Sequence, residues 1–581
     1  MKSTVRLSLL LVLLCLFPHA ATYAKESIFL YRSPLTAAFF VQNGTNFDTL
    51  LLKWQVYLKS HQVGKFKEVT RKQLLEGLPQ GTLILGSAVV LDQSERDAIG
   101  KYAREGNSIL ATWGTGARDG KGQWAGYSFL EGMMDIKVDG LVKREEETWF
   151  LNLHGDSPLA FSQPAGRRFY LGKTAESPIR FSAKNLSASY LNWERDLGVS
   201  GSSGAISFGE TAEGRRVYIG YSESSWEYVS PDDLYPLLDS LFEWLRHRPQ
   251  VFRANWPNAF LSAHLIEMDT EDKYENSIHF AKDLSNAGMR GTFYSLTSIS
   301  RKHPDLVKEL AKNHEIGYHG DVHVGFKGKT EDEQSRRLKN MVLQMKDSAG
   351  ESIAASITGF RAPTESYDKT TGIILRRIGV KHHVVDPSAS DGRVPYFSDA
   401  ERGIDPEQQI IHLPRTQSDD LNFKSRRYSN EMTETKMLEE LDSVMKMGAL
   451  GVLSVHSQNY GDGGSMAFAT PAYLKKLSHN SSSAWVATGK EIADWWRARN
   501  RVAIKPRNKP EEPVALSVMS PGNVKGMTLM VTNPKKEKPL KSIEPSGGAL
   551  PAYRIQAIDD YRTAIVFENL TAGDYRFNLH F

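Results

Sequence analysis

Apolar runs of strand length alternate with amphipathic helical segments from residue 260 to residue 500. The predicted strands are 260–269, 291–296, 356–360, 382–385 and 451–456. The predicted helices are 277–287, 304–313, 331–346, 369–378, 430–447 and 490–499. Strands that alternate with helices pair in parallel and need helices on the faces of their sheet. The alternation therefore predicts a parallel barrel or a related α/β fold, in which active residues gather at the C-terminal ends of the strands.

The whole chain is too long for one hydrophobic core. At 581 residues we expect about three domains, with the alternating region at 255–502 as the central one. Beyond it, residues 503–581 carry eight prolines between short alternating segments. That pattern is typical of a small β-sandwich.

Residues 25–250 read as a further α/β unit. Predicted strands at 82–91 and 107–113 flank a helical segment, LDQSERDAIGKYAREGNS, and a glycine-rich turn follows. This order resembles the non-catalytic flavodoxin-like domains related to class I glutamine amidotransferases. The nucleophile of those amidotransferases is a cysteine, and residues 25–250 contain none. We therefore interpret the unit as a scaffold or a ligand-binding domain.

The N-terminus has the three parts of a secretory signal. Lys2 and Arg6 are basic, residues 7–17 are apolar, and Thr22-Tyr23-Ala24 is a small-residue cleavage site, so we expect a signal peptide at 1–24. The apolar run is shorter than the roughly 20 residues that span a bilayer. We expect an exported protein, periplasmic or extracellular, that does not span the membrane.

Cysteine and charge exclude several classes of function. Cys15, the single cysteine, lies inside the predicted signal, so the mature chain would have no disulfide, thiolate metal site or cysteine nucleophile. The net charge of +4 falls to about +2 without Lys2 and Arg6, and the remaining basic residues are scattered. This distribution argues against a nucleic-acid partner.

Two histidines four residues apart, His319 and His323, stand in the stretch NHEIGYHGDVH. On a helical turn, two imidazoles at this spacing project to one side and can share a metal ion. Gly317 and Gly320 permit a sharp change of direction after a strand. Alone, the pair also fits two ordinary surface or core histidines.

Four other segments end predicted strands with polar or charged side chains. Taken singly, these segments have ordinary explanations: the acidic cluster as the charged start of a helix, Arg361 as part of a surface ion pair, and His456 as a buried core histidine. In a parallel α/β fold, however, they would meet the histidine pair at one edge. The segments are LIEMDTED (265–272), GFRAP with Arg361, VVDP with Asp386 and the nearby Asp391, and VLSVH ending at His456.

Residues 260–460 resemble a NodB-homology polysaccharide deacetylase domain of the carbohydrate esterase family four type. That family has an acidic motif on its first strand, then His-Ser/Thr-x-x-His, Arg-x-Pro, an aspartate motif and a strand-end histidine. The matching positions are Asp269–Asp272, His319–His323, Arg361–Pro363, Asp386–Asp391 and His456. The resemblance implies a distorted (β/α) barrel, a divalent metal that is usually zinc, and removal of N-acetyl groups from an amino-sugar polysaccharide.

The resemblance also implies roles for individual residues. His319 and His323 would hold the metal together with a carboxylate, either Glu271 or Asp272. Asp269 would be the general base and His456 the general acid, with Arg361 orienting the base. Glu271 is a rival for the base, because the adjacent acidic pair here is Glu271-Asp272.

Several positions depart from the family pattern. Gly320 stands where a hydroxyl residue is usual, Thr364 where an aromatic residue follows Arg-x-Pro, and the tryptophan of the aspartate motif is missing. These departures leave two alternatives open. Besides a polysaccharide N-deacetylase, the chain fits a catalytically inactive carbohydrate-binding or polysaccharide-assembly protein that keeps the fold, or a metal-dependent hydrolase of a non-sugar amide or ester.

Overall fold

The computed structural model describes residues 27–61, 63, 65–143, 149–161, 163–191, 203–210, 214–386, 390–397, 402–507 and 514–581. The predicted signal peptide and Cys15 lie outside these residues. In the described part of the chain, no helix is both long enough and apolar enough to cross a membrane. The architecture is mixed α/β and consists of several units.

The N-terminal unit is built on an eleven-stranded mixed sheet. The strands from β1 to β4 and β11 pair in parallel, whereas the remaining pairs are antiparallel. The strands are β1 Ser27–Tyr31, β2 Lys65–Val69, β3 Thr82–Leu85, β4 Ser108–Thr112, β5 Ile136–Leu141, β6 Phe150–Leu153, β7 Arg168–Tyr170, β8 Ile179–Ala183, β9 Leu186–Tyr190, β10 Gly204–Glu210 and β11 Arg215–Ile219. The helices are α1 Pro34–Gln42, α2 Phe47–His61, α3 Arg71–Glu76, α4 Gln93–Arg104, α5 Ser128–Met134 and α6 Pro231–Leu245.

The parallel half of this sheet corresponds to the predicted strand–helix alternation. Helix α4 begins where the sequence indicates, because Asp92 and Glu95 form a reciprocal capping box. The antiparallel strands β5 to β10 were not among the predicted elements.

A nine-stranded sheet forms the central unit. Its order is β18-β19-β17-β16-β15-β14-β13-β20, with β21 beside β13, and all pairs except β18–β19 are parallel. After β12 Val251–Arg253, the strands are β13 Ser262–Thr270, β14 Thr292–Ser295, β15 Glu315–Tyr318, β16 Gly359–Arg361, β17 His382–Val385, β18 Tyr396–Phe397, β19 Ile411–Pro414, β20 Leu450–His456 and β21 Ala484–Val486. The helices are α7 Asn276–Asn286, α8 Thr297–Ser300, α9 Pro304–Leu310, α10 Glu331–Ala349, α11 Glu351–Ser356, α12 Lys369–Arg377, α13 Asp420–Ser425, α14 Asn430–Met447, α15 Ser465–His479 and α16 Gly489–Arg501.

The central sheet curls into a half-barrel. Leu450, at the start of β20, donates a hydrogen bond to the Arg393 carbonyl and accepts one from the Thr416 hydroxyl. Residues 393 and 416 flank β18 and β19, which lie at the opposite end of the sheet, so the two ends of the sheet approach each other. Within the described residues, no strand ladder joins β19 to β20, so the expected barrel is an open one.

Three local predictions need correction. The strand expected at 356–360 starts only at Gly359, because residues 351–356 form α11. The prediction also lacks strands β18, β19 and β21 and helices α8, α11, α13 and α15. The stretch 246–257, where Pro249 and Pro257 in the sequence indicate a linker, contains β12, which pairs antiparallel with a C-terminal strand.

The C-terminal unit is entirely antiparallel within its described residues. Two four-stranded sheets, β12-β25-β28-β27 and β22-β23-β30-β26, accompany the short pair β24-β29. The strands are β22 Ala503–Arg507, β23 Ala515–Ser520, β24 Val524–Lys525, β25 Thr528–Thr532, β26 Ser542–Gly547, β27 Tyr553–Ala557, β28 Arg562–Phe567, β29 Asn569–Leu570 and β30 Gly573–His580. The core of this unit is continuous with that of the central unit, since Trp256 and Ile492 belong to the same apolar cluster as Phe577.

Candidate active site

The candidate side chains follow four strands at the carboxyl edge of the central sheet. Strand β13 is buried along its whole length and carries Asp269 near its end. Asp269 lies beside His456, the last residue of β20, in the ladder between these strands. His319 directly follows β15, and Arg361 ends β16. The parallel register therefore places an acid, two histidines and an arginine at one edge.

The two metal-candidate histidines are not on a helical turn, contrary to the sequence prediction. Residues 319–326 form bends and extended backbone, and Gly320 has a φ of +98°. This conformation lets the loop reverse so that the imidazole centroids of His319 and His323 lie 5.7 Å apart. A Cβ at Gly320 would lie 2.9 Å from Cγ of Pro363, so the turn requires glycine there.

Glu271 joins the two histidines. Its Oε1 lies 3.0 Å from Nε2 of His319 and 2.9 Å from Nε2 of His323, while Gln458 donates to its Oε2 at 2.7 Å. Burial would raise the pKa of Glu271, but its hydrogen bonds to the two histidines outweigh burial and lower it strongly. The same contact raises the pKa of His323. The carboxylate is therefore ionised and faces both imidazoles.

These three residues fit a divalent metal. The Arg361 carbonyl, which can only accept, lies 3.0 Å from Nδ1 of His319, so Nδ1 carries the proton and Nε2 is directed at Glu271. Two imidazole nitrogens and one carboxylate oxygen within 4.8 Å of one another form a donor set that zinc accepts, with positions left for other ligands. A bound cation would replace the proton that each Nε2 shares with Glu271.

Asp272, the other candidate carboxylate, is placed elsewhere. Its side chain is exposed and belongs to neither of the described groups that could hold a metal. Its backbone carbonyl accepts a hydrogen bond from Ser457 at 2.9 Å, and Ser457 also accepts from the Glu271 amide at 2.8 Å. The geometry favours Glu271 over Asp272 as the ligand.

Asp269, the candidate base, is almost fully buried, at 1% exposure. Its Oδ2 pairs with Nε of Arg361 at 2.9 Å. Its Oδ1 has no hydrogen-bond partner within the described residues and lies 3.8 Å from Nδ1 of His319. One oxygen is thus held by the arginine and the other is free to accept a proton.

His456, the candidate acid, is held by a carboxylate that the sequence analysis missed. Asp420, at the start of α13, lies 2.6 Å from Nδ1 of His456 and is itself held by Asn459. Nε2 of His456 lies 3.7 Å from Oδ2 of Asp269. Burial lowers the pKa of His456, but the hydrogen bond and charge of Asp420, with that of Asp269, raise it to about 9. His456 is therefore protonated at neutral pH.

Asp386 and Asp391, the positions that match the family's aspartate motif, lie elsewhere. Asp391 is exposed and pairs with Arg168 of the N-terminal unit at 3.2 Å, and Asp386 is half-buried just after β17. Asp420 follows the apolar stretch IIHLP, a strand-then-carboxylate pattern like that of β13 and Asp269. This pattern was the available signal, but β19 itself was not predicted.

A second missed residue is Glu267. It is fully buried on β13 and accepts hydrogen bonds from Nη1 of Arg361 and from Ser454. Burial raises its pKa to about 7, with the charge of Arg361 acting in the opposite direction. Glu267, Asp269 and Glu271 are spaced by two, the period that places side chains on one face of a strand. This spacing of two is visible in the sequence and indicates that Glu267 shares a strand face with Asp269.

The polysaccharide deacetylase family model matches residues 269–383, which hold the histidine pair, the Arg361 segment and the acidic strand end. A search of curated proteins finds no match.

Among solved structures, the carbohydrate deacetylase Agd3 aligns over 96% of this chain and 99% of its own, at 11% identity and a TM-score of 0.41. A candidate polysaccharide deacetylase from Mycobacterium smegmatis aligns over 43% of this chain and 94% of its own, at 21% identity and a TM-score of 0.37. BA3943 from Bacillus anthracis, a CE4-family pseudoenzyme, covers 41% of this chain and 66% of its own, at 14% identity and a TM-score of 0.29. These TM-scores are too low to carry a conclusion about activity. It is the family model that identifies residues 269–383 as a polysaccharide deacetylase domain.

Proposed function

We propose that this protein is a metal-dependent hydrolase that removes N-acetyl groups from an amino-sugar polysaccharide outside the cytoplasm. The observation that supports it most is the combination at one sheet edge of a metal-binding set with a base and an acid. Glu271, His319 and His323 form the set, and Asp269 and His456 lie beside it. The signal peptide predicted at 1–24 supports the location.

The metal-binding residues define where the scissile amide would sit. When bound to Glu271, His319 and His323, a divalent cation such as Zn²⁺ polarises the acetyl carbonyl and lowers the pKa of a water molecule. Each imidazole presents Nε2 to this position, and Gln458 restrains the second oxygen of Glu271. Residues of the chain itself then move the protons.

Asp269 accepts the proton of the attacking water at Oδ1, the oxygen without a partner among the described residues. Arg361 holds Oδ2 and so fixes the direction in which Oδ1 points. Because Glu271 is engaged by both histidines and Gln458, it is not available as the base. Asp269 is therefore the base in this proposal.

His456 donates the proton that the departing amine needs. Its raised pKa keeps it protonated at neutral pH, and Asp420 holds Nδ1 so that Nε2 faces the site. The amide bond breaks, acetate carries away the hydroxyl of water, and the sugar keeps a free amine. Asp269 then releases its proton to bulk water and His456 takes one up, which restores the starting protonation of both residues.

The finer fold assignments are part of the proposal. The run of parallel strands β2-β1-β3-β4 supports a flavodoxin-like N-terminal unit at 25–250, and the two antiparallel sheets support a β-sandwich at 503–581. The central unit at 255–502 corresponds to the distorted barrel of the family.

The test is acetate release from acetylated glucosamine and galactosamine oligomers by zinc-loaded protein lacking residues 1–24. Asp269→Asn is the matched control, since it removes the base and keeps the shape of the side chain. Release by the wild type and not by the variant supports the proposal. Glycan binding that is equal in both proteins, without acetate release, would establish the inactive binding protein instead. Release from small acyl esters alone would establish an esterase.

A further inference from the structure

A cavity of about 550 Å³ lies where the N-terminal unit, β12, α16 and the C-terminal unit meet. None of the active-site residues described above borders it. Its polar lining consists of two arginines and three amides, and among the described residues no aspartate or glutamate borders it. These polar residues are Gln163, Arg253, Asn255, Arg499 and Asn500.

Both arginines are held by neutral groups. Arg499 is 9% exposed and donates to the carbonyls of Ala254 and Arg253 at 2.6 and 3.0 Å. It also lies over the ring of Trp496, 4.5 Å from the centroid. The hydrogen bonds of the Arg253 side chain all leave from Nη1, toward the carbonyls of residues 499, 500 and 502. Among the described residues, neither arginine forms a salt bridge, and Nε and Nη2 of Arg253 remain open to a ligand.

The local charge is therefore unbalanced. The carbonyl end of α16 supplies about half a negative charge, against two full positive charges. Burial, together with the nearby charge of Arg253, lowers the pKa of Arg499 to about 9. Buried charges are normally paired, because burying an unpaired charge destabilises the fold. An anion in the cavity would remove this cost.

We propose that this cavity binds a small oxyanion of the carboxylate, sulfate or phosphate type. The planar guanidinium of Arg253 offers two adjacent donors, a geometry that suits two oxygens of one oxyanion. The side-chain amide nitrogens of Asn255 and Gln163 can donate to the remaining oxygens, whereas that of Asn500 donates to the Trp496 carbonyl at 2.7 Å. The anion would join three parts of the chain at their meeting point.

The test compares unfolding temperatures of the full mature chain as phosphate replaces chloride at constant ionic strength. The wild type should show a saturable rise of at least about 2 °C at high phosphate. Arg253→Gln should lose this rise. The matched control is Arg501→Gln, on the same helix end, because Arg501 is exposed and pairs with Glu407. It should behave as the wild type.

Calorimetric titration with phosphate provides a second readout that does not depend on stability. We expect one site per chain in the wild type and at least about tenfold weaker binding in Arg253→Lys, which keeps the charge and loses the paired donors. Parallel titrations with sulfate, acetate and glucuronate distinguish an inorganic anion from a carboxylate-bearing sugar. Two results would overturn the proposal. One is an equal, non-saturating rise of the unfolding temperature in the wild type, Arg253→Gln and Arg501→Gln. The other is the absence of any heat of binding with every anion.

Discussion

Replacing Asp420 by asparagine removes the charge that keeps His456 protonated and leaves a group of the same shape. Burial alone would lower the pKa of His456 and disfavour the charged imidazolium. The hydrogen bond and charge of Asp420 oppose burial most strongly and hold the pKa of His456 at about 9, above the ordinary 6.5. Without that charge, we expect the pKa of His456 to fall to 6.5 or below. The expected fall is about 2.5 pH units, or about 3.4 kcal/mol of preference for the charged imidazole.

The assay is the pH dependence of kcat/KM for acetate release. An acid that must be protonated is active below its pKa, so activity is lost as the pH rises through that value. The alkaline limb should therefore lie near pH 9 in the wild type and move to about 6.5 or lower in Asp420→Asn. At pH 8 the protonated fraction of His456 would fall about 30-fold, and kcat/KM with it.

Asp419→Asn is the matched control for this experiment. Asp419 is the neighbouring carboxylate, but it pairs with Arg415 at 3.2 Å and caps α13 through the Asn422 amide. Asparagine preserves a helix cap, so this variant should keep its alkaline limb near pH 9. An alkaline limb in Asp420→Asn that coincides with that of the wild type would refute the role given to His456 and Asp420.

Three further predictions concern the metal, the base and the turn. His319→Ala should reduce bound zinc from about one ion per chain to nearly none, measured by elemental analysis after dialysis; retention of zinc would contradict the assigned ligands. Asp269→Asn should lower kcat about 100- to 10,000-fold with zinc content unchanged, measured by acetate release; a loss below about tenfold would exclude it as the base. Gly320→Ala should cost about 1–3 kcal/mol of unfolding free energy in a denaturant titration, because its φ is +98° and its Cβ would meet Pro363. Gly328→Ala, at φ +78° in open space, should cost less, and equal costs would show that the contact with Pro363 is unimportant.

The sequence was most informative where one physical rule acts alone. Period-two and period-3.6 patterns give the parallel strands and their helices, and polar residues at strand ends point to the edge where Asp269, His319 and His456 meet. Polar residues at strand ends are informative here because β13 is buried on both faces and its last residues emerge at the carboxyl edge.

Elsewhere, several effects compete and the sequence is ambiguous. The spacing of His319 and His323 fits a helix, but Gly320 allows a left-handed turn that brings the same rings together. The Asp420–His456 pair depends on β19, a short strand ending at a proline, which no periodicity reveals. In the N-terminal unit, β5 pairs with β8 and β6 with β9, so these antiparallel pairings depend on partners more than thirty residues away rather than on a local pattern.

The pairing of β12 with β25 makes residues 254–527 an insertion between two neighbouring strands of one sheet. During synthesis, β12 leaves the ribosome before the whole central unit, whereas its partner leaves after it. Strand β12 therefore lacks its pairing partner β25 while the central unit folds. A shortened gene product that starts at residue 255 would lack this strand and expose the edge of β25, so the central and C-terminal units should be expressed together with residues 251–253.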